Sequence, residues 1–440
     1  MTVVGTDHTT RTDSPLRVWA VFAMCAAIIW LTAGHSPSPD LYATWLAGEF
    51  FAQGNATAIY PPDTDIFRMR PPEAWIALET GRGYGGALYP YIYPPLWAAL
   101  AGLAQGVVTF EQVLPVATAI NSALLAGMIC LAWNASGRAM PLLLWAAIAM
   151  VAVVGTYAGF LAIKQNQPQI LVSFLIVLAI ERHRAGRTGW AGAALALAAA
   201  IKVYPALFVV FYIVVRDWRA VQSFALVGAA LAGLSVALAG WPLHVVFLEQ
   251  LSALSNTILM TPITLTLWAT VAQFLDRDLF EYVVSPWIGA ATGEAGGWYV
   301  MAKGPLLSAL STVAMIALLA GAARLYARRD AGTRAMYLWP AALGLLALIS
   351  PISWVYHYLP VLAFAPALLI GLGQRAGMLL LLATLLPLSL WVLPHFADVT
   401  LVSNPLQLVA TLAITAITAG FAVAAIGPRT APRQATLADA

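Results

Sequence analysis

The sequence predicts an all-α protein that crosses a membrane many times. Of its 440 residues, 61% are hydrophobic and only 9% are charged, whereas a soluble domain is about 25% charged. Mean hydropathy is +0.82, and the basic residues fall in short clusters between long apolar runs. These observations exclude a soluble globular domain. A net charge of +3 gives no reason to expect nucleic acid as a partner of such a chain, and the partner we expect is the lipid bilayer.

The clusters of basic residues indicate on which side of the membrane each loop lies, because Lys and Arg are retained on the cytoplasmic side. If every cluster is cytoplasmic, each apolar run between two clusters contains a pair of crossings and breaks on the outer face. The breaks fall at 164–169, 202–205, 241–303, 350–358 and 394–400. The prediction is about twelve crossings, at roughly 17–34, 112–133, 140–158, 168–182, 189–202, 204–216, 221–240, 304–322, 336–350, 359–373, 377–393 and 404–426.

The remaining segments follow from the same argument. Residues 1–16 and 427–440 are predicted to be cytoplasmic tails, and 17–426 a single membrane domain of a multi-pass protein. Residues 35–111 form the first periplasmic loop, which holds most of the proline and aromatic clusters. Within it, 94–110 is predicted to lie in the interface as a juxtamembrane helix, because a crossing there would move every later basic cluster outside.

Several predicted crossings are shorter than the roughly 20 residues that a straight span needs. Between Arg187 and Arg216 there is too little chain for two full spans. A helix that stops inside the membrane requires a cavity lined by protein or water, because lipid cannot satisfy free backbone groups. The short crossings therefore predict a cavity open to the outside.

Asp40 is the first acid after the first crossing, within SPSPD. A carboxylate there lies at the boundary between hydrocarbon and water, where a base must act if a lipid-linked reagent meets a water-exposed one. The DTD run at 63–65 has the spacing of a metal-binding D-x-D, but nucleotide sugars are absent from the outer face. No histidine pair has metal-ligand spacing, so we predict neither a metal nor a cofactor.

Lys202 is placed deep in an apolar run, beside the break at Pro205. A lysine at such depth costs about 2.5–3.5 kcal/mol on insertion scales and normally faces a cavity or a partner. It is a candidate cation for a phosphate, and the alternative is a lysine that snorkels from a helix end. His357, within SPISWVYHY, is a candidate ligand of the same phosphate, and the alternative is a belt histidine among interfacial aromatics.

Gln165, Asn166 and Gln167 place three amides in one break, which suits sugar hydroxyls or phosphate oxygens. The alternative is that they cap and solvate a turn. The candidate substrate-binding residues of the chain are Lys202, His357, Gln165, Asn166, Tyr60, Trp354 and Arg82.

One carboxylate is enough for a particular class of reaction. Hydrolysis of a glycosidic bond takes two carboxyl groups, because the departing sugar oxygen needs an acid. A sugar on a lipid phosphate leaves with phosphate, so a base for the acceptor hydroxyl and a cationic clamp suffice. Displacement in line inverts the anomeric centre. Asp40 as base, with Lys202 and His357 at the phosphate, fits this scheme.

The order of these motifs resembles a known family. The acid followed by GN-x4-YPP, then YPPL at 93–96, QN at 165–166, K-x-x-P at 202–205 and SPISW-x-x-H at 350–357 are similar to family 87 of the glycosyltransferases. The resemblance implies the GT-C fold and an α-mannosyltransferase that uses polyprenyl-phosphate mannose without an obligatory metal. It further implies that Asp40 is the catalytic base and that Lys202 and His357 bind the donor. The chain departs from the family pattern at Lys164, where glycine is usual, and at Tyr356, where a relative has histidine.

Three functions are thus open to test. The first is transfer of a sugar, with mannose favoured, from a polyprenyl phosphate to a glycolipid or glycan acceptor. The second is a secondary transporter or flippase of lipid-linked sugars, whose polar breaks would lie near the midplane and alternate in side. The third is a non-catalytic partner in a cell-envelope complex, which would tolerate loss of Asp40.

Overall fold

The computed structural model describes residues 14–34, 36–61, 70–274, 277–285, 296–392 and 405–427. The predicted break at 394–400, the DTD run at 63–65 and nearly all of both predicted tails lie outside these residues. The α-helices are α1 (Pro15–Ala33), α2 (Pro39–Ala52), α3 (Glu73–Gly81), α4 (Pro95–Ala104), α5 (Phe110–Ala135), α6 (Leu142–Val153), α7 (Tyr157–Lys164), α8 (Gln169–Arg184), α9 (Thr188–Ile201), α10 (Val209–Val214), α11 (Trp218–Ala239), α12 (Trp241–Ser255), α13 (Leu267–Ala272), α14 (Pro305–Arg328), α15 (Ala331–Thr333), α16 (Trp339–Ile349), α17 (Leu359–Ala363), α18 (Ala367–Gly371), α19 (Gln374–Leu385) and α20 (Pro405–Ile426).

Short helical turns of other types connect several of these helices. Four 3-10 segments and one π-helical turn lie in the described chain: Ala56–Ala58, Tyr204–Phe208, Arg277–Leu279, Val355–Tyr358 and, for the π turn, Arg334–Leu338.

Six helical segments of the described residues are long and apolar enough to cross a membrane. They are 15–33, 110–135, 218–239, 305–328, 331–349 and 405–426. Five shorter apolar helices are 95–104, 142–153, 188–201, 204–214 and 374–385. The protein is therefore a multi-pass helical membrane protein. The count of about twelve crossings and the interfacial position of α4 stay predictions.

A small sheet departs from the all-α prediction. Strands β1 (Thr257–Met260), β2 (Glu281–Ser285) and β3 (Gly296–Ala302) pair antiparallel in the order β1-β3-β2. The sequence interval 241–303 was expected only to be a break, but it contains α12 and α13 as well as this sheet. Alternation is weak in β1, whose four residues are all buried, so periodicity did not reveal a strand.

The buried side chains form two main clusters. The larger runs through the helical bundle and includes the aromatic group of Phe208, Phe211, Tyr326 and Trp339. The second belongs to the first outer loop and centres on α2, with Trp75, Tyr91 and Tyr93 among its members. The outer loop is thus a packed unit that docks onto the bundle.

Two glycines allow the helices of the outer loop to pack closely. A Cβ at Gly48 of α2 would lie 2.6 Å from the Ala101 Cβ of α4, and one at Gly102 would lie 3.1 Å from the Gly48 carbonyl oxygen. This backbone contact fixes α2, and Asp40 in its first turn, against α4.

Basic residues gather at the end of the bundle opposite the outer loop. Arg184, at the end of α8, bonds the Ala135 carbonyl at the end of α5. Arg329 follows α14 and donates to the Ile426 carbonyl at 3.0 Å, and His183 lies 3.2 Å from Asp217. The ends of five helices with their cationic residues therefore meet on one side.

Candidate active site

The N-terminus of α2 is attached to the junction between α7 and α8, although 126 residues separate the two segments. The Ser36 hydroxyl donates to the Lys164 carbonyl at 2.5 Å, and the Ser38 hydroxyl donates to the same oxygen at 3.1 Å. Ser38 is fully buried and has a left-handed backbone conformation, with φ of 51°. This turn sets the direction in which α2 leaves the bundle.

Asn166 completes the attachment. Its backbone is also left-handed, with φ of 46°, which asparagine tolerates better than most residues. The Nδ2 group donates to the Ser38 hydroxyl at 2.8 Å and to the Thr118 hydroxyl at 2.9 Å. The Oδ1 atom accepts from Asn121 Nδ2 at 2.9 Å. The predicted substrate-binding amide thus makes three hydrogen bonds within the protein and holds the start of α2.

Asp40 lies in the first turn of α2 and is only 8% exposed. Its Oδ2 atom accepts a hydrogen bond from Gln167 Nε2 at 2.6 Å. The same nitrogen donates to the Tyr356 hydroxyl at 3.0 Å, and Gln167 Oε1 accepts from the Tyr93 hydroxyl at 3.0 Å. One buried amide therefore joins the acid of the outer loop to the bundle.

Lys202 and His357 lie in two separate breaks of the sequence, and the fold brings them together. Helix α9 ends at Ile201, and Lys202 follows in an extended conformation before the turn that contains Pro205. Its Nζ atom lies 3.4 Å from His357 Nε2. The same Nζ atom lies 5.7 Å from the centre of the Tyr93 ring and 5.2 Å from that of Tyr356, within the range of cation–π attraction.

Backbone atoms of Trp354 contact the imidazole of His357 on the side away from Lys202. Its Nδ1 atom lies 2.9 Å from the Trp354 backbone nitrogen and 3.1 Å from the Trp354 carbonyl oxygen. The segment itself is anchored by the Val355 amide, which donates to the Ile263 carbonyl at 2.8 Å. Nδ1 therefore faces the backbone, and Nε2 faces Lys202.

Lys202 and His357 lie on the wall of a cavity of about 260 Å³. Much of the remaining wall is apolar, with residues from α9, α12 and α16 that include Ile201, Leu251, Leu254, Leu343 and Leu346. Trp354, a predicted substrate-binding residue, also lines it. The cavity thus places a cation and an imidazole at the edge of a hydrocarbon-like space.

Asp40 is not on the wall of this cavity. Tyr93 and Tyr356 are on the wall, and their hydroxyls bond the Gln167 amide that holds Asp40. The acid therefore lies behind this pair of tyrosines, one amide away from the cavity.

Burial changes the acid–base properties of the acid and the imidazole. Burial raises the pKa of Asp40 to about 7, although the positive charge of Lys202 and the Gln167 hydrogen bond both lower it. Burial and the nearby charge of Lys202 hold the pKa of His357 well below its usual range. The imidazole is consequently neutral near pH 7, whereas Asp40 exchanges its proton there.

The other predicted residues lie elsewhere. Gln165 lies beside Tyr89, and Tyr60 is buried in the outer loop, where its hydroxyl donates to the Tyr93 carbonyl at 2.7 Å. Arg82 pairs with Glu49 at 2.6 Å and with Glu79 at 2.9 Å. None of these three is among the residues that line the described cavity.

Gln167 was predicted only as one of three amides suited to a sugar or a phosphate, not as a partner of Asp40, and Tyr93 and Tyr356 were missing from the predicted site residues. The signals were present, because Gln167 belongs to the same run of amides, Tyr93 begins the YPPL motif and Tyr356 marks a departure from the family pattern. Within the described segments, no group of three or more His, Cys, Asp or Glu could hold a metal ion.

Comparison with known proteins gives the class. The protein is a polytopic helical membrane protein with a buried acid and a lysine–imidazole pair beside an apolar cavity. The model of glycosyltransferase family 87 matches residues 91–351, which is more than half of the chain, and the protein belongs to that family. Lys202 lies within the matched region, whereas Asp40 and His357 lie outside it.

Two solved structures of one protein are similar to this chain. ArnT from Cupriavidus metallidurans bound to undecaprenyl phosphate is 15% identical with a TM-score of 0.39, and the same protein in the apo state is 14% identical with a TM-score of 0.34. Each comparison covers 94% of this chain and 77% of the other. No curated protein matches the sequence.

Proposed function

We propose that this glycosyltransferase moves a sugar, with mannose favoured, from a polyprenyl phosphate to a glycolipid or glycan acceptor at the periplasmic face of the inner membrane. The observation that supports it most is the pairing of Lys202 with His357 at 3.4 Å on the wall of a largely apolar cavity. A phosphate attached to a hydrocarbon chain is the ligand that such a surface recognises. The preference for mannose depends on the family resemblance.

In this scheme the polar part and the apolar part of the cavity wall bind different parts of the donor. The ammonium of Lys202 and an N–H on His357 Nε2 would hold the phosphate oxygens, and hydrogen bonds of this charge-assisted kind are the strong ones. The leucine and isoleucine side chains would contact the isoprenoid. Lys202 makes no ion pair within 4.0 Å in the described chain, so its charge is available to a bound anion.

Asp40 is the proposed base. The acceptor hydroxyl gives its proton to the carboxylate while its oxygen attacks the anomeric carbon, and the phosphate leaves with the electrons of the broken carbon–oxygen bond. Attack opposite the phosphate inverts the anomeric centre. Because phosphate is a good leaving group, a second carboxylic acid is not required.

The distribution of basic residues supports the proposed side of the membrane. Arg184, Arg329 and Arg334 lie at the end of the bundle where α8 finishes, whereas Gln167 and the outer loop lie where α8 begins. If the basic end is cytoplasmic, the cavity and Asp40 belong to the periplasmic half. Membership of a glycosyltransferase family favours this enzyme over a transporter or a non-catalytic partner.

The test uses purified protein in detergent and a labelled polyprenyl-phosphate mannose, with and without a membrane glycolipid. Asp40→Asn should bind donor normally and lose about 10²–10⁴-fold in transfer, the usual contribution of a general base. Glu79→Gln is the matched control, because Glu79 is also a buried acid of the outer loop but bonds Tyr42 and Arg82. Transfer by Asp40→Asn at the wild-type rate would reject Asp40 as the base.

The donor site is tested separately by binding. Wild type should bind polyprenyl phosphate more tightly than the uncharged polyprenol, and Lys202→Met should lose this difference. Lys303→Met is the matched control, since Lys303 is also buried but donates to the Ser255 carbonyl at 3.2 Å. Equal phosphate preference in wild type and Lys202→Met would reject the proposed clamp.

A further inference from the structure

Gln167 is the residue at which the proposed base and the proposed donor cavity meet. Its side chain is 1% exposed and makes three hydrogen bonds to three separate segments: α2 through Asp40, the 88–94 segment through Tyr93, and the 355–358 turn through Tyr356. Both amide hydrogens and the amide oxygen are used. The amide cannot rotate without breaking bonds in at least one of these segments.

The backbone holds Gln167 equally firmly. Its amide nitrogen donates to the Ala162 carbonyl at 2.9 Å, and its carbonyl accepts from Ile170 at 3.0 Å. The preceding left-handed residue, Asn166, turns its own amide toward Ser38. The two adjacent amides therefore do different things: Asn166 holds the start of α2, and Gln167 holds the carboxylate.

We propose that Gln167 is a positioning residue that holds one carboxylate oxygen of Asp40, leaves the other for the acceptor hydroxyl, and links that carboxylate through Tyr356 to the donor phosphate. This inference rests on the proposed function. Gln167 bonds Oδ2, so Oδ1 is the atom that takes the proton. In the transfer step the acceptor O–H bond breaks and its proton moves to Oδ1, the oxygen bonds the anomeric carbon, and the phosphate leaves with its bonding electrons.

Tyr356 provides the link. Its hydroxyl oxygen accepts from Gln167, so its O–H group can donate a hydrogen bond to a ligand. The residue lines the cavity, its ring centre is 5.2 Å from that of His357, and Lys202 lies over it. When a phosphate oxygen accepts a hydrogen bond from this O–H group, the hydroxyl oxygen becomes a better acceptor and its bond from Gln167 strengthens. An occupied donor site thereby fixes the amide that orients the base.

The electrostatic surroundings of Asp40 make the role measurable. The groups that face it are Lys202 at the end of α9, Tyr89 and Tyr93 of the outer loop, and Tyr356. The Gln167 hydrogen bond lowers the pKa of Asp40 against the effect of burial. Removal of that bond should move the acid limb of the activity profile to higher pH, whereas loss of packing alone would admit water to Asp40 and move the limb to lower pH.

The experiment compares Gln167→Met, Gln167→Glu and Tyr356→Phe with wild type, using kcat, donor KM and the pH profile of kcat/KM. Gln167→Met should reduce kcat about 10–100-fold and move the acid limb upward, with little change in donor KM. Gln167→Glu keeps the volume but faces Asp40 with a second carboxyl group, so the limb should move further upward. Tyr356→Phe should weaken donor binding several-fold and reduce kcat.

Gln169→Met is the matched control, because Gln169 is a buried glutamine two residues away that bonds Ser173 and Tyr204. Its acid limb should coincide with that of wild type. If Gln167→Met and Gln167→Glu both keep the wild-type limb and kcat while Asp40→Asn is inactive, the positioning role is wrong and the proposed function stands. If Asp40→Asn is active, the proposed function fails first.

Discussion

Activity should depend on pH through Asp40. The proposed base works only when it is ionised, and burial raises its pKa to about 7. Below its pKa the ionised fraction falls about tenfold for each pH unit. Between pH 8 and pH 5 we therefore expect kcat/KM to fall about 100-fold. A carboxyl group with the ordinary value of 3.8 would lose less than about 10% over the same interval.

The acid limb can be assigned, because the neighbouring imidazole does not titrate there. The pKa of His357 is well below its usual range, so the free enzyme keeps it neutral over most of this interval, and kcat/KM reports the free enzyme. Lys202 lowers the pKa of Asp40 by its charge. Lys202→Met should therefore move the limb to higher pH, in addition to weakening donor binding.

The assay is transfer of labelled sugar to a glycolipid between pH 5 and pH 9, at constant ionic strength and detergent. Melting temperatures measured at each pH show whether the protein remains folded. Glu79→Gln should keep the acid limb, since Glu79 bonds Tyr42 and Arg82 rather than the proposed site. A rate that stays level down to pH 5 in folded protein would refute either the base or its raised pKa.

Two further predictions concern the parts that hold α2 in place. Asn166→Gly keeps the left-handed backbone but removes three buried hydrogen bonds. We therefore expect the protein to lose about 1–3 kcal/mol of stability in melting experiments and to show a lower kcat for transfer at saturating donor. An unchanged kcat would show that this attachment does not orient Asp40. Gly48→Ala should lower the melting temperature, because the new methyl group would lie 2.6 Å from Ala101 and overpacking costs about 1–3 kcal/mol. Gly228→Ala in α11 meets no atom within 4 Å, and an equal effect of both changes would contradict the packing argument.

The pairing of Lys202 with His357 could be predicted from the sequence for a physical reason. A charged or titratable residue beside a proline-marked break in an apolar run must face a cavity or a partner, and two such breaks on one side of a membrane can share the same cavity. Pro205 and Pro351 mark the two breaks, and the basic clusters place both breaks on the outer side of the membrane. Both residues line the cavity that this reasoning required.

The separate roles of the three neighbouring amides could not be predicted. In sequence Gln165, Asn166 and Gln167 are equivalent polar residues in one break, and the left-handed turn at Asn166 sends their side chains in different directions. Gln165 lies beside Tyr89, Asn166 bonds Ser38 and Gln167 bonds Asp40. The different directions of these three side chains follow from the left-handed φ angle of Asn166, which the hydrophobic periodicity of the sequence does not predict.

The same limit applies wherever the partners are distant in sequence. Arg82 looked available for substrate in the GRGYGG segment, but the fold brings Glu49 and Glu79 to it. The small sheet pairs β1 with β3 across an interval that also contains β2. Pairings of this kind depend on tertiary structure, which a reading of local pattern does not contain.

The proposed base and the proposed phosphate clamp belong to different units of the fold. Asp40 is part of the outer loop, with its own buried cluster, whereas Lys202 and His357 lie at breaks in the helices of the bundle. The polar bonds described here that hold Asp40 in register with the bundle are those of Ser36, Ser38, Asn166 and Gln167. In the proposed reaction, docking of the outer loop is therefore a condition for transfer as well as for stability. A change that loosens this docking should reduce kcat before it reduces donor affinity, because Lys202 and His357, which hold the phosphate in this proposal, both belong to the bundle.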